Sequence, residues 1–423
     1  MSTPVYLTGL GVAAPNGLGA GRFWDATLSG RSGITEITRF DTSRYPAGLA
    51  GQILDFAAEN YLTGRLRIQT DRSTRLALVA ADWALADAAV DTTAFNEYDM
   101  GVVTSNALGG FEFTHNELRN LWAEGPDAVS VYESFAWFYA VNTGQIAIRN
   151  GLRGRNNTLV AEQAGGLDAI GHARRTIRRG VKLMLAGGVD SAFDPWGWVA
   201  QLSTGQISLD RDPRRAYRPF DGTACGYLPG EGGAFLVLEE AGSAIARGVD
   251  RVYGEIAGYA STFDPPATSA RPPALRRAIE LALADAGLQP ADISVVFADA
   301  AGIPALDRAE AAAISGVFGP RSVPVTAPKA LTGRLYAGGG PLDVAAAALS
   351  IRDGVIPATA ATSAVPDDYD IDLVVGHPRT GEAVTAALVL ARGKCGFNSA
   401  VVLRAVALST THHGKGATTH DNL

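Results

Sequence analysis

The chain predicts an α/β fold, because strands and helices alternate along almost the whole sequence. Apolar runs of strand length, such as Val5–Ala14, are followed by segments with apolar residues at helical spacing, such as 73–90. Two series of this kind follow one another, one on each side of about residue 250. The repetition indicates a fold made of two similar halves.

Each series is justified by the period of its apolar residues and by the glycine-rich turns between them. The first series predicts strands over 5–14, 98–104, 181–186 and 230–239, helices over 73–90 and after a turn near 163, and a largely buried helical region over 132–148. The second series predicts strands over 252–259, 293–297, 323–325, 386–391 and 400–406, with helices over 273–286, 307–318 and 340–352. Their alternation supports the two-part organisation.

The domain organisation follows from these two series. We expect a first half over residues 1–250, a second half over 251–408 and a disordered tail over 409–423. Three of the six histidines, His412, His413 and His420, lie in that tail. A loose terminal segment is favoured over a metal site there, because no carboxylate or apolar framework surrounds them.

Composition excludes several classes of protein. No run approaches the roughly 20 apolar residues that a membrane span needs, and the start of the chain lacks a basic signal-peptide region. A net charge of -7 argues against nucleic acid as a main partner. Two cysteines, Cys225 and Cys395, are too few for a disulfide framework and fit a cytoplasmic location. Both are expected to be small buried residues, and no metal is expected.

The turn at Gln163 is the most informative position in the sequence. Residues 159–180 read as a short strand, a tight turn and a helix, an elbow on which many acyl-transfer enzymes place a nucleophile. A glutamine amide cannot usefully attack a carbonyl, although it donates and accepts hydrogen bonds. The elbow therefore carries a residue that is unable to act as the nucleophile.

Three motifs together resemble a known family. They are Val-Ala-Glu-Gln-Ala-Gly-Gly at 160–166, Arg-Pro-Phe-Asp-Gly at 218–222 with Gly-Glu-Gly-Gly at 230–233, and Pro-Lys-Ala-Leu-Thr-Gly-Arg at 328–334. They resemble β-ketoacyl synthases of the thiolase fold, and most closely the ketosynthase β subunits of bacterial type II aromatic polyketide synthases. The resemblance covers about residues 4–407 and implies a thiolase-like five-layered αβαβα fold with two pseudo-duplicated halves.

The resemblance also implies where catalytic groups would lie. Active relatives use a cysteine on the elbow and two histidines, and these positions carry Gln163, Ala301 and Arg334 in this chain. Lys329 matches the family's lysine. Without the nucleophile and both histidines, the chain lacks the groups that would polarise a malonyl thioester and stabilise an enolate. We therefore expect no independent carbon–carbon bond formation.

Three roles for Gln163 stay open. A structural role, in which the amide bonds within a closed elbow and supports a subunit interface, is favoured. A catalytic role is second, since Gln163 resembles the glutamine of decarboxylating ketosynthase-like domains that prime chains from malonyl groups, where an amide could stabilise the enolate. The third is a drifted position without a role. Whether the chain is itself an enzyme is left open accordingly.

The resemblance implies partners rather than a bound cofactor. A ketosynthase α subunit would form a heterodimer with this chain, and an acyl carrier protein would deliver malonyl units on its phosphopantetheine arm. The growing malonyl-derived polyketide would extend into a tunnel at the interface, and this subunit would set chain length by closing the far end. A degenerate homodimeric synthase with a scaffolding role is the remaining alternative.

The tunnel positions implied by the resemblance are Phe111, Thr114 and Leu118. Their spacing of 3 and 4 places them on one face of a helix, a pattern that ordinary core packing would also explain. Relatives that make shorter chains often carry phenylalanine at position 118, so Leu118 predicts a longer pocket. Trp196 and Gly197 are weaker candidates for the same lining, with an aromatic core as the alternative.

Overall fold

The structure, a computed structural model, describes residues 3–266 and 268–407. The first half contains β1 (Val5–Ala14), β2 (Gly17–Leu18), α1 (Ala20–Leu28), β3 (Ile34–Glu36), β4 (Leu49–Gly51), α2 (Gly64–Gln69), α3 (Arg72–Asp87), β5 (Met100–Ser105), α4 (Phe111–Glu124), α5 (Glu133–Ala136), α6 (Val141–Asn150), β6 (Asn156–Leu159), α7 (Gly165–Ile177), β7 (Leu183–Asp190), α8 (Pro195–Leu202), β8 (Gly232–Glu240) and α9 (Ala241–Ala246). The second half contains β9 (Gly254–Phe263), α10 (Leu275–Ala286), β10 (Val295–Phe297), α11 (Pro304–Phe318), β11 (Pro324–Thr326), α12 (Gly339–Asp353), β12 (Val355–Ile356), β13 (Asp372–Leu373), β14 (Arg379–Thr380), β15 (Ala386–Arg392) and β16 (Phe397–Arg404). The predicted alternation of strands and helices is confirmed.

One twelve-stranded sheet runs through both halves, in the order β13-β11-β10-β15-β16-β9-β1-β8-β7-β5-β6 with β2 beside β1. The first half uses the order β1-β8-β7-β5-β6, and the second repeats it as β9-β16-β15-β10-β11. In each half the first three strands pair antiparallel and the last three pair parallel. This repeat confirms the expected duplication of the fold.

Helices form three layers around the two halves of the sheet. Helices α3 and α6 pack on the outer side of the first half, and α10 and α11 pack on the outer side of the second. Helices α7 and α12 lie between the halves and contact strands of both. The result is the five-layered αβαβα arrangement, in which the central helices join both halves into one core. The predicted boundary near residue 250 falls in the loop between α9 and β9.

Glycine permits the closest helix–sheet contact in each half. A Cβ on Gly11 of β1 would lie 1.8 Å from the carbonyl oxygen of Ala80 in α3. A Cβ on Gly258 of β9 would lie 2.2 Å from the carbonyl oxygen of Ala282 in α10. Since any side chain there would collide with helix backbone, the two positions require glycine for the same reason.

The structure corrects one predicted element. The region 132–148 is not one buried helical unit, because α5 ends at Ala136 and α6 begins at Val141. Trp137 and Phe138, in the break between them, are 46% and 48% exposed. Aromatic content suggested burial, but these rings lie on an open face of the chain. Among the described residues, no helix combines the length and apolar character needed to cross a membrane. The predicted disordered tail and its histidines lie outside the described residues.

Candidate functional site

The predicted elbow is present between β6 and α7. The chain leaves β6, turns through a single 3-10 turn at Glu162–Ala164 and enters α7 at Gly165. Glu162 adopts a left-handed backbone with φ of 51°, and its carboxylate accepts a hydrogen bond from the Lys394 backbone N–H at 2.7 Å. Positive φ at a bulky residue is held in place only by such surrounding contacts. The turn thus presents Gln163 in a fixed orientation.

Gln163 is 6% exposed and bonded within the protein. Its amide orientation is assigned from its partners, with nitrogen toward a carbonyl and oxygen toward a guanidinium. In that orientation it donates to the Tyr336 carbonyl oxygen at 3.2 Å and accepts from Arg334 Nε at 3.1 Å. Both partners belong to one segment that leads into α12, so the amide ties the elbow to that segment.

Arg334, which was expected at a family histidine position, forms a buried ion pair. Its Nη2 donates to the Asp299 carboxylate at 3.0 and 3.1 Å, while Nη1 donates to the Asp299 carbonyl oxygen at 2.9 Å. The two side chains are 7% and 4% exposed. Burial disfavours the charge of Arg334, but the Asp299 carboxylate outweighs burial and raises the pKa of the guanidinium. Arg334 therefore stays a cation and cannot exchange a proton as histidine does.

Ala301, which was expected at the other histidine position, lies in a loop whose backbone is fixed by two acids. Glu310 accepts from the Asp299 and Ala300 N–H groups at 2.7 and 2.8 Å, and Asp307 accepts from Gly302 N–H at 3.0 Å. Burial raises the pKa of Glu310 to about 7 and that of Asp307 to about 6. The loop is retained, but the methyl group of Ala301 offers no proton donor or acceptor.

Lys329 lies behind these residues rather than in the open space before them. Its Nζ pairs with Asp343 of α12 at 2.7 Å, and the two side chains are 9% and 3% exposed. Burial raises the pKa of Asp343 to about 6 despite the neighbouring ammonium. The space that Lys329 shares with Gln163 and Arg334 measures about 10 Å³, the lower limit for one water molecule. Lys329 is therefore positioned as part of the interior.

Gln163, Ala301 and Arg334 line one cavity of about 380 Å³, so the structure brings together the three residues that the sequence predicted to share a site. Tyr227 and Cys395 line the same cavity, and sequence reasoning did not assign either to it. Tyr227 is 3% exposed and its hydroxyl has no hydrogen-bond partner among the described residues. Both residues are far from the elbow in sequence, and only the folded chain brings them next to it.

The expectation that both cysteines are buried is wrong. Cys225 and Cys395 are exposed free thiols. Cys225 lies in a loop with its Sγ 3.2 Å from Ser208 Oγ. Cys395 has φ of 64°, in the turn over residues 393–396, and it is one of the residues that line the cavity. Burial had been inferred from residue type, whereas the turn geometry decides it. In the part of the chain that the structure describes, no cluster of three or more metal-ligating side chains occurs.

A second cavity, of about 220 Å³, lies at the start of α4. Phe111, Thr114 and Trp196 all line it, and the Phe111 and Trp196 ring centroids are 4.8 Å apart. Trp196 is the second residue of α8, and Asp194 caps that helix by accepting from the Gly197 N–H at 3.0 Å. His115 Nδ1 lies 2.5 Å from the same carboxylate. We call this cavity and its lining the gate.

Leu118 and Gly197 lie outside the gate. Leu118 is on α4 as predicted, but one turn further on it lines a separate open groove with Trp122, whose ring is 83% exposed. Gly197 is buried, and a Cβ there would lie 2.6 Å from the Asp194 carboxylate. The predicted helix is present. Beyond its first turn, however, α4 no longer borders the cavity, so only that first turn lines the gate.

Asp190, at the end of β7, connects the gate to the elbow. Its carboxylate accepts hydrogen bonds from the Ala107 and Leu108 N–H groups at 3.0 Å, in the loop that leads to α4. It also accepts from the Ala337 N–H at 2.9 Å, next to the residue that holds Gln163. Burial raises the pKa of Asp190 to about 7, against the lowering by these donors. The two cavities are thus built on a shared buried carboxylate.

Comparisons with known proteins match this architecture. Residues 2–244 match the N-terminal domain of β-ketoacyl synthases, and residues 253–363 match the C-terminal domain. A protein of Streptomyces coelicolor named as the actinorhodin polyketide beta-ketoacyl synthase 2 is 64% identical over 403 residues, which cover 95% of this chain and 99% of that protein.

Solved structures agree over nearly the whole chain. The ishigamide ketosynthase/chain length factor matches with a TM-score of 0.87 and 29% identity, covering 96% of this chain and 100% of that one. A type II polyketide synthase acyl carrier protein in complex with its ketosynthase provides a chain that matches with a TM-score of 0.86, 26% identity and the same coverage. The resemblance seen in the motifs is confirmed, and the chain belongs to the β-ketoacyl synthase family.

Proposed function

We propose that this chain is the chain length factor of a type II polyketide synthase. It would act as the non-condensing partner of a ketosynthase α subunit and fix the length of the poly-β-ketone. The observation that carries the proposal is the Arg334–Asp299 ion pair with the Gln163 amide against it. Gln163 and Arg334 would take the positions of the nucleophile and one histidine of an active synthase, and Ala301 the position of the other histidine.

Condensation needs groups that this cavity does not supply. A thiolate must accept the acyl chain, and neutral donors must stabilise the enolate formed from a malonyl unit. Gln163 cannot form a thioester, Ala301 cannot donate, and the Arg334 guanidinium is already committed to Asp299. Cys395 lines the cavity, but no histidine is among the described residues that line it. Chain extension must therefore take place on the partner.

An apolar face of the first half supports a protein partner. Five large side chains between residues 122 and 148 are exposed, namely Trp122, Val131, Trp137, Phe138 and Ile148. Strand β6 lies at the end of the sheet and, among the described strands, pairs only with β5. Exposed apolar surface beside an open strand edge is typical of an interface. We assign this face to the ketosynthase α subunit.

The malonyl units would arrive on the phosphopantetheine arm of an acyl carrier protein. One structural relative is a ketosynthase in complex with a type II polyketide synthase carrier protein, which supports the same kind of delivery here. The gate residues Phe111, Thr114 and Trp196 would then close the far end of the chain's path. A cytoplasmic location stays a prediction from the sequence.

Co-expression with and without a ketosynthase α subunit tests this function. We expect a heterodimer by sizing and poly-β-ketone products only from the pair. An Ile148→Lys variant should lose the heterodimer, because a charge would replace a side chain that is 79% exposed on the proposed face. Ile245→Lys, on α9 and 59% exposed, is the matched control that should retain it. A stable homodimer that ignores the α subunit would instead support the scaffolding alternative.

A priming decarboxylase is the second candidate, because Gln163 does reach the 380 Å³ cavity. Its amide donates one N–H to Tyr336, and a second N–H is left that could stabilise an enolate after loss of carbon dioxide. Incubation of malonyl-loaded carrier protein with the isolated chain and with its Gln163→Ala variant decides between the roles. Carbon dioxide release that disappears in the variant would establish the decarboxylase. Equal background release would leave the structural role.

A further inference from the structure

The gate contains a carboxyl group among aromatic rings. Glu133, the first residue of α5, lines the same 220 Å³ cavity as Phe111, Thr114 and Trp196. Trp137 and Tyr139 supply further aromatic lining, and Glu133 is the one acidic side chain among the described residues that line the cavity. A cavity that measured length by volume alone would not need such a group.

One carboxyl oxygen of Glu133 accepts a hydrogen bond within the protein, and the other has no partner among the described residues. Thr114 Oγ1 donates to Oε1 at 2.9 Å, which joins α5 to the gate-lining turn of α4. Oε2 is shielded from solvent and has no hydrogen-bond partner among the described residues. An unsatisfied buried oxygen of this kind is unfavourable in the free protein. A ligand in the cavity supplies the missing hydrogen bond once the carboxyl group rotates and brings this oxygen to the cavity surface.

The surroundings of Glu133 also favour its protonated form. Burial raises the pKa of Glu133, and the nearby carboxylates of Glu117 and Asp71 raise it further, against a lowering by the Thr114 hydrogen bond. A protonated carboxyl donates to a ketone oxygen, and an ionised one accepts from an enol hydroxyl. Either form can therefore bind an oxygen of a chain of alternating carbonyl and methylene groups.

We propose that Glu133 is a specificity-determining residue of the gate, whose free Oε2 hydrogen-bonds a keto or enol oxygen of the poly-β-ketone. The proposal rests on the chain-length function proposed above. The aromatic rings limit the volume, and Glu133 adds a contact for an oxygen of a chain that reaches the gate. A poly-β-ketone carries an oxygen on every second carbon, so every chain long enough to reach Glu133 gains this contact and shorter chains do not.

The test compares product lengths made by the reconstituted heterodimer. Glu133→Met keeps an unbranched side chain of similar length but removes both oxygens. We expect the ratio of full-length to shorter products to fall by about threefold to tenfold, the effect of one lost hydrogen bond. Glu133→Gln keeps a donor and an acceptor and should restore the wild-type ratio. Glu59→Met changes an exposed glutamate outside the gate and serves as the control.

Each outcome bears on the assignment. A wild-type ratio in Glu133→Met would overturn it, as would an equal shift in Glu133→Gln. Sizing shows whether each variant still assembles, and Glu133→Leu replaces the methionine variant if that one does not. If the wild-type pair makes no polyketide at all, the proposed function itself fails. If the pair makes product of normal length in every Glu133 variant, only the role of Glu133 is lost.

Discussion

The cavity at the elbow, which both halves line, and the gate, which the first half lines, have opposite chemical character. At the elbow, Gln163, Arg334 and Asp299 are buried and each is bonded to another. At the gate, Trp196 is 43% exposed and Glu133 has an oxygen without a partner. Buried polar groups that satisfy one another stabilise a fold, whereas unsatisfied ones are available to a ligand. The contrast supports a structural role for the Gln163, Arg334 and Asp299 network, while the Glu133 oxygen at the gate, like the Tyr227 hydroxyl in the elbow cavity, lacks a partner among the described residues.

Both regions nevertheless begin at the ends of neighbouring strands of the sheet. The elbow follows β6 and the gate follows β5, which pair in parallel, so both begin at the same edge. Asp190 bonds the backbone of each. Loops at the carboxyl ends of parallel strands are where α/β proteins build sites. A family that loses chemistry in one loop can therefore keep and use its neighbour.

The largest expected effect is on stability, from removal of the buried ion pair beside the elbow. Asp299→Ala leaves the Arg334 guanidinium buried without its carboxylate, which costs about 3–5 kcal/mol of unfolding free energy. Urea unfolding of the heterodimer measures it. Arg153→Ala removes an exposed pair with Glu97, 65% and 43% exposed, and should change stability by less than about 1 kcal/mol. Equal effects of the two variants would contradict a structural elbow.

The second effect concerns a buried ion-pair cluster that reaches α4 but does not line the gate. Glu231 is buried and pairs with Arg39 and Arg72, and Arg39 also lies 3.8 Å from Glu112 on α4. Burial would raise the pKa of Glu231, but the two guanidinium groups outweigh it and lower the pKa to about 2. Because the folded pKa is below the ordinary value of 4.5, this group stabilises the fold above that pH. The contribution is lost as the pH falls toward about 2.

Stability measurements at several pH values test that sign. Glu231→Gln should lower the unfolding free energy by about 3 kcal/mol at pH 7. The gap between variant and wild type should shrink as the pH falls below 4.5. A gap that is constant with pH would mean that the carboxylate charge is not what holds the cluster together.

The smallest expected effect tests whether residue 118 belongs to the gate. Leu118 was expected to lengthen the pocket relative to phenylalanine, yet it lines the neighbouring groove of α4. We therefore expect Leu118→Phe to shift the mean product length by less than one malonyl unit, by crowding rather than by filling the cavity. Product analysis by mass spectrometry measures the shift. A change as large as that caused by a substitution at Thr114 would extend the gate to residue 118.

The sequence predicted the elbow better than the gate for a physical reason. Gln163, Ala301 and Arg334 lie in local motifs whose turns and glycines fix the backbone, so their convergence could be inferred from the family resemblance. The partner of Arg334 was not inferred, because Asp299 is joined to it only in space. Periodicity gave the helix α4 but not the turn at which it leaves the cavity.

No feature of the sequence predicted Glu133 as a residue of the gate. Its role depends on the break between α5 and α6, where the pattern predicted one buried helical region. We propose that a partner subunit covers the exposed aromatic rings at this break. The sequence of one chain does not show which of its surfaces the partner covers. The same reason explains why both cysteines were placed inside, since exposure was decided by turns and not by residue type.

Product length from a Thr114→Phe heterodimer tests the central claim most directly. Thr114 lines the gate, and a phenylalanine ring would fill much of its 220 Å³. We predict products shorter by at least one malonyl unit, made by a pair that assembles normally, since the chemistry lies on the ketosynthase α subunit. Products of wild-type length from an intact Thr114→Phe pair would contradict the claim that this chain sets length at the gate.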